Sequence, residues 1–153
     1  MSEITDRYTF PELIEERCIK KTISSIATSG DLFTVSGGPI KVIELVGVVT
    51  TGIGASTTRV RLLVDPTEPT TNTDLCAQLD INANAAGTVF TITGTFTDPM
   101  VATTNGVIAG LTTAFIVPQG TIEYANADDA ETGVVDWCLR YQPLVPGAKV
   151  HPA

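Results

Sequence analysis

IKVIELVGVVT, residues 40–50, is the most hydrophobic run in the chain. Apart from Lys41 and Glu44 it is apolar at odd and even positions alike. A strand sends successive side chains to opposite faces, so this run predicts a central strand covered on both sides. The next segment, RVRLLV, follows the turn TTGIGAST. Its Val60, Leu62 and Val64 point one way and Arg59 and Arg61 the other.

Working outward, TISSIAT and LFTVSG precede the central run. LCAQLDI, TVFTITGTF, VIAGLTTAFIVP, GTIEYA and VVDWCLRY follow it. Clusters of Gly, Pro, Asn, Asp and Thr separate them, and DPTEPTTNTD (65–74) reads as a loop. Strands of this length at this spacing predict an all-β, single-domain β-sandwich or β-barrel of roughly seven to nine mostly antiparallel strands. The expected organisation is an N-terminal arm (1–20), a β domain (21–141) and a C-terminal tail (142–153). Within the arm, PELIEERCIKK (11–21) has Pro11 at the start, glutamates early and lysines late, which suits a short helix. In the tail, two prolines and a glycine after Gln142 predict the end of the sheet.

At 153 residues and 43% hydrophobic content the chain can bury a core without metal or disulfide. A formal charge of −8 argues against nucleic acid and anionic membranes as partners, because both are held by basic patches. Cys18, Cys76 and Cys138 are far apart, form no CxxC, and read first as three buried, reduced thiols, with a single disulfide as the alternative. The start, MSEITDRYTF, has neither a basic segment nor an apolar core of a signal peptide, which predicts a soluble protein made in a cytoplasm.

Few residues carry chemistry. His151, the only histidine, is the third residue from the end, where a general base would lack a rigid surround. Asp80, Asn82 and Asn84 match the first three ligand positions of an EF-hand loop. Ala85 then stands where Gly is needed and Thr91 where a bidentate Glu is needed, so a turn is the better reading. Asp128, Asp129 and Glu131 read as a solvated acidic turn. The GIG of TTGIGAST lacks the following helix that a dinucleotide site requires, so Gly52 and Gly54 are expected to supply positive φ in a turn. In VVDWCLRY, Val135, Trp137, Leu139 and Tyr141 share a core-facing side. Asp136 and Arg140 lie on the other side about 13 Å apart and are expected to meet neighbouring strands instead of each other. No residue is therefore assigned a catalytic, cofactor-binding or metal-binding role, and no cofactor is expected.

Three runs carry a family resemblance: GDLFTVSGGPIKVIELVGVVTTGIG, RVRLLVDPT and PQGTIEYANADDAETGVVDWCLRYQPLVPGAKV. With their Gly-rich turn, GTIE strand, TG turn, W-x-L-x-Y strand and Pro-bearing tail, they resemble head decoration, or capsid cement, proteins of tailed bacteriophages. The resemblance covers roughly residues 30–150. It implies a non-enzymatic virion protein, a homotrimer made in the host bacterial cytoplasm and seated on the outer capsid surface. Its partner would be the major capsid protein, bound between coat subunits, with the terminal arm and the tail after Tyr141 reaching neighbours. A phage tail or fibre component, and a β-sandwich ligand-binding module, are the alternatives.

Overall fold

In a computed structural model, which describes residues 17–103 and 106–153, the chain is all β. The strands are Arg17–Ile23 (β1), Ser29–Ser36 (β2), Ile40–Thr51 (β3), Arg59–Pro66 (β4), Thr73–Asp74 (β5) and Leu79–Asp80 (β6). Val89–Thr91 (β7), Val101–Thr103 (β8), Phe115–Val117 (β9), Gly120–Asn126 (β10), Val134–Pro143 (β11) and Lys149–Pro152 (β12) complete them. They form two six-stranded antiparallel sheets, and no helix occurs among the described residues. The first sheet runs β1-β11-β3-β7-β8, with β9 also on β3; the second runs β12-β2-β10-β4-β5, with β6 also on β4. Five strands are only two or three residues long, lying in stretches that read as loops or as parts of longer strands; this raises the described count to twelve, above the expected seven to nine.

The long seam of the first sheet is β11 on β3, where Val135 faces Val49, Trp137 faces Gly47 and Leu139 faces Leu45. Ladder register then slips: Arg140 pairs with Glu44 and Tyr141 with Val42, leaving Ile43 as the extra residue of a bulge. This corrects the expectation of a strand covered on both faces. Val42 and Leu45 are an odd number of residues apart, yet the bulge turns both inward with Ile40 and Val49. The phase change makes the run look apolar on two faces while one face is core. On the other, Val46 is half-buried and Val48 is 36% exposed.

One buried cluster draws on both sheets, including Leu45, Phe90, Trp137 and Leu139 from the first and Phe33, Leu62, Ile122 and Val150 from the second. At its β3–β11 side the Trp137 ring stacks on Phe90 with centroids 6.3 Å apart. Gly47 lies between them in register, paired with Trp137 on one strand and Phe90 on the other. A Cβ at Gly47 would stand 2.9 Å from the indole, so glycine here is required by the close approach of the ring.

Both ends depart from expectation. Arg17–Lys21, the second half of the expected helix, belongs to β1 and pairs with β11; residues 11–16, like the rest of the arm before Arg17, lie outside the described residues. The strand wins because Ile19 and Ile23 alternate with Cys18, Lys20 and Thr22 and pack on the core, whereas a lone short helix would have no partner. At the other end the sheet does stop near Pro143, but the chain crosses to the second sheet. A turn follows in which Ala148 N donates to Val145 O. Lys149–Pro152 then pairs with β2, with Ala148 and Val150 buried and Lys149 and His151 exposed. Tyr141 Oη accepts a 3.0 Å hydrogen bond from Val150 N, tying the crossing to the seam.

Candidate functional site

Asp136 and Arg140 go to different neighbours. Thr22 Oγ1 on β1 donates to Asp136 Oδ1 at 2.6 Å, while Arg140 stands opposite Glu44 of β3. His151 lies exposed in β12, opposite Thr34, and so belongs to the sheet and not to a frayed tail. The Asp80–Asn84 segment is a turn: Asp80 Oδ1 accepts from Thr58 N and Asn82 N, and Asn84 Nδ2 donates to Ile81 O. Those carboxylate and amide groups are committed to the backbone.

The acidic turn is a clamp. Asp128 receives Arg59 through Nη2–Oδ1 (2.6 Å) and Nε–Oδ2 (3.0 Å), with the Arg59 backbone N–H on Oδ2 as well. The Arg59 side-chain bond chiefly holds the Asp128 carboxyl below its ordinary range. Glu131 accepts from Thr132 N at 2.7 Å and Ser56 N at 3.0 Å, and the Thr132 N–H leads in lowering its pKa. The clamp also explains Gly54, which does not have the expected positive φ. A Cβ there would lie 2.2 Å from the Glu131 carboxylate, so close approach is what demands glycine. Among the described residues no group of three His, Cys, Asp or Glu side chains is arranged to hold a metal ion.

On the second sheet's outer side, Glu123 faces Asp31 across the β10–β2 ladder. Burial, then repulsion from Asp31 and Asp65, pushes the Glu123 carboxyl up.

The feature best suited to recognition is apolar. Loop 67–72, β5 and β9 enclose a pocket of ≈ 160 Å³ whose walls include Val64, Pro66, Pro69, Leu75, Phe96 and Ile116. Among the described residues none that lines it is charged. Ile116 is 64% exposed and Phe96 41% exposed, and Phe96 meets Phe115 edge to face at 5.6 Å. Such a pocket can accept an aliphatic or aromatic side chain, and it offers no titratable group for proton transfer. Sequence reasoning missed it. The available signal was FIV just before Pro118, where alternation buries Phe115 and Val117 and forces Ile116 outward.

Compared with protein-family models, curated proteins and solved structures, the chain matches none of them.

Proposed function

We propose that the protein is a virion structural component that decorates the outer surface of a phage capsid and stabilises it by binding between coat subunits. In this reading the two sheets form one β-sandwich body, the protein assembles as a homotrimer, and the major capsid protein is its partner. It is made in the host bacterial cytoplasm and catalyses no reaction. Nucleic acid and membrane are not partners, in keeping with its charge of −8.

The observation that carries the proposal is the apolar rim made by Ile116 and Phe96 beside an uncharged pocket, on a chain with the sequence features of decoration proteins. Exposed large apolar side chains around a cleft favour protein contact over solvation. The C-terminal segment is withdrawn from the contact role, because β12 spends its backbone on β2. Three copies of one modest apolar contact, carried by a trimer, act together through effective concentration and need not be strong singly.

Co-sedimentation of the purified protein with mature shells that lack it tests the proposal. Saturable binding, with a trimer by light scattering, is the expected result. A stable monomer that stays in the supernatant at low and physiological salt would overturn it, and immunogold labelling confined to the tail would favour a tail or fibre component.

A further inference from the structure

The reading of three buried thiols holds for Cys76 alone. Its Sγ accepts from Leu62 N at 3.3 Å, and burial pushes its pKa up to about 11. Cys18 is exposed and Cys138 half-buried. These two are 120 residues apart in sequence, yet their sulfur atoms lie 2.8 Å from each other. Register explains the meeting: Cys18 pairs with Arg140 and Cys138 with Lys20, so the cysteines are diagonal neighbours on the same outward side of β1 and β11. A disulfide bond is about 2.05 Å long, so the sulfurs need move only ~0.8 Å to bond.

We propose that Cys18 and Cys138 are a dithiol modification site, oxidised by low-molecular-weight disulfides to a cross-strand disulfide that fastens edge strand β1 to β11. This rests on no part of the capsid reading. The Cys18 thiolate, being the exposed one, attacks a sulfur of the small disulfide and releases one small thiol, leaving a mixed disulfide on Cys18. The Cys138 thiolate then attacks the Cys18 sulfur and releases the second small thiol. Two protein S–H bonds and one small-molecule S–S bond are replaced by one protein S–S bond and two small-molecule S–H bonds, so the protein loses the two electrons that the reagent gains. Burial first, and the neighbouring Cys18 second, push the Cys138 thiol up to about 11, so it is the less reactive of the two and attacks second, aided by its closeness to the Cys18 sulfur.

The consequence is mechanical. In the described part of the first sheet, β1 is held by ladder bonds to β11 alone, and it carries the chain into the N-terminal residues. A covalent bond at Cys18 fixes the start of that strand and leaves the opposite sheet untouched.

Incubating the full chain with oxidised glutathione, then measuring intact mass and mapping peptides, tests the proposal. The expected product has lost two hydrogens, carries no glutathione, links the Cys18 and Cys138 peptides, and keeps one free thiol on Cys76. Hydrogen exchange along β1 should slow and recover on adding reductant. Cys138→Ser should stop at a stable glutathione adduct on Cys18. A persistent adduct on wild-type Cys18, a dimer linked through it, or no reaction would each overturn the proposal.

Discussion

The β3–β11 seam and the rim around β9 are built from similar residue types and behave in opposite ways. In the seam, a ten-residue strand lies on a twelve-residue one, and Trp137, Leu139 and Tyr141 point into a shared core. Around the rim, strands of two or three residues and a Pro-bearing loop leave Ile116 and Phe96 facing solvent. Long ladders fix register and bury each inward side chain, whereas in the short β9 alternation turns Ile116 outward, and Phe96 lies outside any strand. The seam therefore buries its apolar side chains, while the rim leaves Ile116 and Phe96 exposed, the surface the proposed function would use.

Trp137→Ala attacks the seam most directly. It should cost about 3–5 kcal/mol, read by chemical denaturation, because it empties the space beside Phe90 and Gly47. Among the described residues the buried Trp137 Nε1 has no hydrogen-bond partner, so the loss comes from packing and not from a polar bond. Tyr141→Phe should cost about 1–3 kcal/mol by stranding the Val150 N–H, and amide exchange should accelerate in β12 before the rest of the second sheet. Ile116→Asp should change stability by no more than about 0.5 kcal/mol, since that side chain is already largely in water. A large destabilisation there would erase the contrast between seam and rim.

The smallest effects are electrostatic. Asp128 and Glu131 have pKa values lowered in the folded state from 3.8 and 4.5. Their stabilisation is complete above those unfolded values and disappears as pH falls through the lower folded ones. Denaturation curves below neutral pH should therefore show an acid loss that Asp128→Asn with Glu131→Gln flattens. Glu123 has the opposite sign: its raised pKa favours folding while protonated, a contribution lost as pH rises through the folded value. Glu123→Gln should accordingly raise stability at neutral pH.

Sequence alternation was enough to read VVDWCLRY, down to the core-facing Val135, Trp137, Leu139 and Tyr141 and the separate neighbours of Asp136 and Arg140. It failed where phase or partner was hidden. The bulge at Ile43 disguised a one-sided strand as a two-sided one. AKVH carries a clear apolar–polar alternation, but Pro143 and Pro146 suggested an ending where the chain was only changing sheets. The rim and the Cys18–Cys138 pair were invisible for a different reason, since each is assembled from segments far apart in the chain. Only the pairing of β1 with β11 brings those two sulfurs together.

The most direct test sets wild type beside Ile116→Asp in co-sedimentation with shells that lack the protein. The account predicts that wild type binds, while the variant melts at the same temperature and stays in the supernatant. Equal binding by the two, or no binding by wild type, would contradict it.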